Sequence, residues 1–163
     1  MNKKYSTMKK IITLYLAICV ALFITPSCKK KKGCMDSNSV NYDSSAQVDD
    51  GSCEYAGTGG NTMMVAFPQH HGVPIISKTV YVDSAYIKFN TQNYPGNTAA
   101  SYDLVLPGNV GENHVHIPNM KPGKYYIFMT GYDSTINQRV TGGIPYTLTQ
   151  TSGEVDFNVP VTE

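Results

Sequence analysis

The chain has 163 residues and a formal net charge of +1, with 13 basic and 12 acidic side chains, 12 tyrosines and no tryptophan. Four of the basic residues and none of the acidic ones precede residue 28, so the rest of the chain carries a net charge of −3. This balance argues against a nucleic-acid partner, which requires a basic surface. The length suffices for one small domain and a tail.

The first 27 residues predict a signal peptide. Lys3, Lys4, Lys9 and Lys10 form a basic segment, and residues 11–24 follow as 14 residues without a charged side chain. An apolar run of this size is typical of a signal peptide. As a helix it would reach only about 20 Å, less than the ~30 Å hydrocarbon core of a bilayer, so a permanent transmembrane helix is not expected.

The sequence Leu22-Phe23-Ile24-Thr25-Pro26-Ser27-Cys28 resembles the lipobox of bacterial lipoproteins, with Thr25 in place of the usual Leu, Val or Ile. The resemblance implies that the Cys28 thiol takes a diacylglycerol group, becomes the first residue after cleavage and anchors the protein to the lipid bilayer. Residues 28–32 would be a tether whose lysines lie against anionic headgroups. The expected location is the cell envelope, at the outer membrane and on its periplasmic side. The alternative is an ordinary signal peptide that leaves Cys28 free.

Residues 33–55 form a small module with two cysteines. Cys19 leaves with the leader and Cys28 is acylated, so Cys34 and Cys53 remain as an even pair in an oxidising compartment and predict a disulfide. The pattern Gly-Cys-x-Asp, Asn-Tyr, Asp-Asp-Gly-Ser-Cys over residues 33–53 resembles a short repeat of secreted and envelope proteins of Gram-negative bacteria. The resemblance implies a compact spacer or adhesive-tail module rather than an enzyme.

The same module is rich in side chains with oxygen atoms, which are the ligands that calcium prefers. Two interpretations are open, because the spacing is not that of an EF-hand loop and these residue types also make turns and caps. The candidate calcium ligands are Asp36, Asn38, Asn41, Asp43, Asp49 and Asp50. Residues 56–60, Ala-Gly-Thr-Gly-Gly, are predicted to be a flexible linker.

Residues 61–163 predict an all-β domain, because the apolar residues alternate with a period of two and no helical period follows the leader. About seven to eight strands separated by turns favour an antiparallel β-sandwich of the immunoglobulin-like or transthyretin-like kind. The two glycines at 142 and 143 are interpreted as a loop before a strand. The strand segments are 62–67, 76–82, 85–90, 102–106, 113–117, 124–130, 144–148 and 155–159.

The segment Asn119-Met120-Lys121-Pro122-Gly123-Lys124-Tyr125-Tyr126 resembles the Asn-Leu-x-Pro-Gly-x-Tyr start of a late strand in carboxypeptidase-regulatory-like and transthyretin-like sandwiches. The resemblance implies that Met120 fills the core, that Pro122 and Gly123 turn the chain, and that a tyrosine packs while its hydroxyl bonds across the corner. Unrelated functions share this motif, so it supports the fold and not an activity.

All four histidines occur in close pairs, His70-His71 after the first strand and His114-x-His116 on a later one. If Val115 faces the core, His114 and His116 project from the other face and offer two nitrogens to zinc or copper. His70 and His71 could complete that set. The alternatives are exposed histidines without a ligand and an internal polar network.

No segment predicts an enzyme. A Gly-x-Ser-x-Gly nucleophile motif is absent from the sequence, and Thr141-Gly142-Gly143-Ile144 lacks the lysine of a phosphate-binding loop. Two functions remain as hypotheses. The first is a non-catalytic envelope lipoprotein whose sandwich is structural or binds a protein or glycan through an exposed aromatic patch. The second is an envelope lipoprotein that binds copper or zinc through the paired histidines.

Overall fold

The computed structural model describes residues 29–163, so the predicted signal peptide and Cys28 lie outside the described residues. Residues 31–163 form one compact unit. Among the described residues, no helix is long and apolar enough to cross a membrane. The strands are β1 (Lys32–Gly33), β2 (Val48–Asp49), β3 (Thr58–His70), β4 (Val73–Pro74), β5 (Ser84–Phe89), β6 (Leu104–Pro107), β7 (Val115–Met120), β8 (Gly123–Asp133), β9 (Gln138–Leu148) and β10 (Ser152–Val161), with one 3-10 turn at Ala99–Ser101.

The strands from β3 onward form two four-stranded sheets, which confirms the predicted all-β sandwich. The first sheet has the order β10-β3-β4, with β7 also paired to β3, and the second has the order β6-β5-β8-β9. Strands β3 and β10 run parallel over ten residue pairs, whereas the other pairings within the two sheets are antiparallel. The parallel pair joins the beginning and the end of the domain.

The core lies between the inner faces of the two sheets, as strand alternation requires. Met64 and Ala66 of β3 face inward from the first sheet, and Tyr125, Ile127 and Met129 of β8 face inward from the second. Each is fully buried. A buried side chain of this size contributes about 1.5–3 kcal/mol relative to an exposed one, so this layer accounts for the pairing of the two sheets.

The corner before β8 has the predicted geometry. Met120 is fully buried, and Asn119 adopts the left-handed region with φ 59°. The Tyr125 hydroxyl donates to the Lys121 carbonyl at 2.5 Å and accepts from the Gly57 amide at 3.1 Å. Burial raises the pKa of Tyr125. The tyrosine hydroxyl therefore ties the corner to the chain that enters the domain.

The predicted disulfide is present, with Cys34 and Cys53 joined at 2.03 Å. Its module contacts the sandwich through the Lys124 ammonium, which donates to the Ser37 carbonyl, and the Tyr55 hydroxyl donates to Asp36 within the module. Few apolar side chains of the module are buried, so the covalent bridge is its main constraint. Closing a loop of about this size contributes roughly 3 kcal/mol on the chain-entropy estimate.

The predictions for residues 56–60 and 76–82 need correction. Residues 56–60 are not a flexible linker: Thr58 begins β3, the Ala56 amide donates to Asn90 at 2.8 Å, and a Cβ on Gly60 would lie 2.1 Å from the Met120 carbonyl oxygen. The segment 76–82 is not a strand. It is a loop that crosses from β4 to β5 and contains a tight turn closed by Lys78 and Tyr81, which leaves its apolar side chains Ile76 and Val80 exposed.

Candidate functional site

Five aromatic side chains gather on the outer face of the second sheet. Tyr86 of β5 and Tyr126 and Phe128 of β8 project from that face, and Tyr94 and Tyr102 reach it from the loop between β5 and β6. Phe128 lies at the centre, 5.9 Å between ring centroids from each of Tyr86, Tyr94 and Tyr102. These five residues are called the tyrosine surface below.

The tyrosine surface keeps several rings open to solvent above a buried base. Phe128 and Tyr102 are 7% and 8% exposed, whereas Tyr94 is 53% exposed and Tyr86 and Tyr126 are half-buried. The Tyr102 hydroxyl donates to the Gly96 carbonyl at 2.7 Å, which fixes the loop over the sheet. Burial raises the pKa of Tyr126.

Groups that form hydrogen bonds surround these rings. Lys88 lies opposite Tyr126 in the register of β5 and β8 and pairs with Asp103 at 2.8 Å. Gln92 donates to the Thr147 hydroxyl at 3.0 Å. Aromatic rings with a polar margin are typical of binding surfaces, because tyrosine buries apolar area and still offers a hydroxyl.

The structure does not bring the two histidine pairs together. His70 ends β3 on the inner face, on the same side of the strand as Met64 and Ala66, and it is 4% exposed. His114 and His116 flank inward-facing Val115 and therefore lie on the opposite face of the same sheet. The predicted four-histidine site is therefore not formed, and each pair has its own surroundings.

The first pair sits at a hairpin between β3 and β4. His71 and Gly72 both have positive φ, 50° and 78°, and they connect His70 to its cross-strand partner Val73, which is the geometry of a two-residue type I′ turn. The turn brings the imidazole rings of His70 and His71 to a centroid separation of 4.1 Å. The backbone of the turn thus sets the positions of the two imidazole rings relative to each other.

Two carboxylates face the ring nitrogens of His70. Its Nδ1 lies 2.7 Å from Asp133 Oδ2 and its Nε2 lies 2.9 Å from Glu163 Oε2. The hydrogen bond with Asp133, and then that with Glu163, raise the pKa of His70. Thr135 donates its hydroxyl and amide to Asp133, and with His70 these bonds lower the pKa of Asp133 to about 2.

A cleft opens beside this pair. It encloses about 360 Å³ and is lined by the two histidines, the hairpin that follows them and the turn after β8. One ligand atom each from His70, His71 and Glu163 lie within 4.8 Å of one another. An ion held by these three would therefore have free space on one side.

The second pair also has a glutamate. Glu112 Oε2 lies 3.6 Å from His114 Nε2 and 3.8 Å from His116 Nδ1, and the two imidazole centroids are 4.6 Å apart. The His114 Nδ1 forms a hydrogen bond with Asn113 Oδ1 at 3.0 Å, and the Nε2 of the same ring faces Glu112. All three side chains are partly or largely exposed, so they form an open half-site.

The structure gives the aspartates of the disulfide module a local role. Asp36, Asp43, Asp49 and Asp50 each accept a backbone amide from the residue two positions later, at 2.9–3.1 Å. Asp43 also pairs with Lys31 at 2.7 Å. The bond with Lys31 is the largest cause of the lowered pKa of Asp43, which is about 2, and the bonds from Ser45 lower it further.

The remaining candidates for calcium follow the same pattern. The Asn41 side chain donates to the Ser52 carbonyl and accepts from the Glu54 backbone amide, and the Asn38 backbone amide donates to Asp36. Among the described residues, the four aspartates are in no group of three possible ligands within 4.8 Å. The carboxylates of these aspartates and the side chain of Asn41 therefore make local hydrogen bonds, and the calcium set stays a prediction.

The sequence pattern does not predict the carboxylates that lie beside the histidines. Glu112, Asp133 and Glu163 complete the two histidine sites, and only the proximity of Glu112 to His114 in the sequence could have indicated one of them. Asp83 is also unexpected: it is fully buried, and within residues 29–163 neither of its carboxylate oxygens has a hydrogen-bond partner. Burial raises its pKa to about 6, although nearby Ser77 lowers it in part.

No protein-family model, no curated protein and no solved structure matches this chain. Function therefore has to be inferred from the side chains themselves. They offer two kinds of site, an aromatic surface on one sheet and two histidine–glutamate clusters on the other.

Proposed function

We propose that the protein is a non-catalytic, membrane-anchored lipoprotein of the cell envelope, and that its β-sandwich binds a glycan through the tyrosine surface. The observation that carries the binding function is the row of accessible rings of Tyr86, Tyr94 and Tyr126 above buried Phe128. The lipobox-like sequence that ends at Cys28 supports the anchor. The disulfide between Cys34 and Cys53 is what an oxidising compartment allows.

A glycan fits this surface for chemical reasons. The face of a sugar ring presents C–H groups that pack on an aromatic face, and its rim presents hydroxyls that need hydrogen-bond partners. The tyrosine surface has both parts, since Lys88, which pairs with Asp103, lies opposite Tyr126 in the register of β5 and β8. A nucleic acid could also stack on such rings, but the net charge of −3 beyond residue 27 opposes it.

We expect Tyr94→Ala to weaken glycan binding about tenfold or more, because an exposed aromatic anchor at a binding surface is worth about 1.4 kcal/mol or more. The measurement is affinity electrophoresis of the purified protein through gels that contain soluble polysaccharides, together with sedimentation on isolated peptidoglycan. Tyr126→Ala should reduce retention in the same way.

Tyr81→Ala is the matched control for this experiment. Tyr81 is exposed but stacks on Tyr132, with ring centroids 4.0 Å apart, and takes part in none of the ring pairs of the tyrosine surface. Its substitution should leave retention unchanged. A wild-type protein that no polysaccharide retards, or an equal loss in Tyr81→Ala and Tyr94→Ala, would contradict a glycan site here.

The second candidate function is binding of copper or zinc by an envelope lipoprotein. It is favoured by one specific observation: each histidine pair has a glutamate whose oxygen lies within 4.8 Å of both imidazole donors. Two imidazoles and a carboxylate are a ligand set that zinc takes in proteins. Metal analysis of the purified protein after incubation with zinc, and with copper, tests this function directly.

A further inference from the structure

The cluster at the end of β3 contains more than a pair of histidines and a glutamate. His70 is held between two carboxylates, of which only Glu163 forms a group of three possible ligands with the two histidines, whereas Asp133 lines the cleft. We propose that His70 Nε2, His71 and Glu163 bind a zinc ion, and that Asp133 is the positioning residue that orients His70. This inference rests on the second candidate function and assigns it to one of the two histidine clusters.

The distances suit a zinc site. His70 Nε2 and Glu163 Oε2 are 2.9 Å apart, and all three ligand atoms lie within 4.8 Å of one another. Ligands at the usual zinc distances of about 2.0–2.2 Å are separated by about 3.3 Å in a tetrahedron. Modest rotations of the His71 and Glu163 side chains therefore suffice, and both have room to make them because Glu163 is 56% exposed and His71 is also exposed.

The backbone places the three ligands independently of any ion. His70 lies opposite Val161 in the parallel pairing of β3 and β10, so Glu163 follows two residues after the cross-strand neighbour of His70. Thr162 is fixed to Thr141 of β9 by two backbone hydrogen bonds of 2.7 and 2.9 Å. The type I′ turn fixes His71. The ligand set is thus assembled from two adjacent strands and one tight turn.

Asp133 gives this cluster a feature that the other one lacks. A histidine that binds a metal through one nitrogen commonly donates the other N–H to a carboxylate, which fixes the ring and makes it a better ligand. Asp133 stands 2.7 Å from His70 Nδ1 and is itself held by the hydroxyl and the amide of Thr135. In the second cluster His114 has only a neutral amide, Asn113, in the corresponding place.

The burial of His70 also distinguishes the two clusters. At 4% exposed, its imidazole is shielded on the protein side, whereas the 360 Å³ cleft leaves space next to the ligands. Three protein ligands beside an open space are the arrangement in which a water molecule or a small anion takes the fourth position on zinc. The second cluster lies on the opposite face of the sheet, and its side chains are partly exposed.

The test is isothermal titration of the purified protein with zinc chloride, on wild type and on variants that retain the fold. His71→Asn removes one ligand and keeps a residue that tolerates positive φ, so the turn survives. Glu163→Gln removes the exposed carboxylate. The matched control is His114→Ala/His116→Ala, which removes the second cluster. Thermal unfolding without zinc verifies that every variant is folded.

We expect zinc to bind wild type at one site. His71→Asn and Glu163→Gln should each weaken binding at least tenfold, Asp133→Asn should weaken it about 10–100-fold, and the control should bind like wild type. The inference is overturned, with the second candidate function intact, if zinc binds wild type and only His114→Ala/His116→Ala abolishes it. If neither the wild type nor any variant binds zinc, this inference fails together with the zinc form of the second candidate function, and the copper form fails only if the same titration with copper is also negative. An Asp133→Asn variant with wild-type affinity would overturn the role of Asp133.

Discussion

We expect Asp83→Asn to raise the free energy of unfolding at pH 7 by up to about 3 kcal/mol. Asp83 is fully buried, and in the part of the chain that the structure describes its two carboxylate oxygens have no hydrogen-bond partner. Burial raises its pKa from 3.8 to about 6, and each pKa unit corresponds to about 1.4 kcal/mol. An asparagine has nearly the same shape and carries no charge, so it avoids that cost.

The sign of the pH dependence follows from the raised pKa. Between pH 3.8 and about 6 the folded protein still holds the Asp83 proton that the unfolded chain has lost, so the contribution of this group to stability is fully present below pH 3.8 and decreases as the pH rises to 6. The stability difference between Asp83→Asn and wild type should therefore be near zero at pH 3.5 and reach its full size above pH 6.

Urea denaturation at a series of pH values measures this difference. Asp156→Asn on β10 is the control, because Asp156 is exposed, and its curve should follow that of the wild type at every pH. An Asp83→Asn variant that is less stable than wild type at pH 7, or a difference that does not change with pH, would contradict a buried carboxylate whose pKa is raised by its lack of partners.

The second large effect is expected from Gly142→Ala, which should lower the free energy of unfolding by at least about 3 kcal/mol. A Cβ on Gly142 would lie 2.1 Å from the Pro160 carbonyl oxygen and 2.9 Å from the Val161 Cα. Both neighbours are backbone atoms and cannot rotate away. The substitution therefore has to push β9 from β10, at the place where Thr141 and Thr162 join the two sheets.

Thermal unfolding of Gly142→Ala beside Gln138→Ala checks this expectation. Gln138 is exposed on the same strand, so its substitution should change stability by less than about 0.5 kcal/mol. A Gly142→Ala variant as stable as wild type would mean that β9 and β10 do not approach each other as closely as the structure shows.

Strands β8, β9 and β10 show how far the sequence alone predicts the fold. The period-two alternation of residues 124–130 and 155–159 predicts β8 and β10 because each strand has one buried and one exposed face. The sequence predicts a loop at Gly142 and Gly143, but both lie within β9. Gly142 leaves room for Pro160 and Gly143 for the ring of Tyr126, contacts that depend on distant parts of the chain.

The histidine sites illustrate the same limit. Alternation around Val115 predicts that His114 and His116 share a face, and they do. It could not predict that β3 would pair in parallel with β10, which brings Glu163 to His70, nor that the end of β8 would bring Asp133 to the same ring. Local patterns are set by neighbouring residues, whereas ligand sets are completed by topology.

The tyrosine surface could be predicted from the sequence only in part. Twelve tyrosines and the strand patterns predict an exposed aromatic patch, and the register of β5 and β8 sets Tyr86 beside Phe128. The contribution of the loop between β5 and β6 could not be predicted, because Tyr94 and Tyr102 have no period that assigns them to a face. Their place follows from the hydrogen bond between Tyr102 and Gly96.

Mass spectrometry of the intact protein from the membrane fraction is the most direct test of the proposal that Cys28 anchors a folded envelope domain. The proposal requires a mature chain that begins at Cys28, carries diacylglycerol on that sulfur and retains the Cys34–Cys53 disulfide. A Cys28→Ser variant should keep residues 1–27 and lose the lipid mass. A wild-type protein recovered with residues 1–27 attached and an unmodified Cys28 thiol would contradict it.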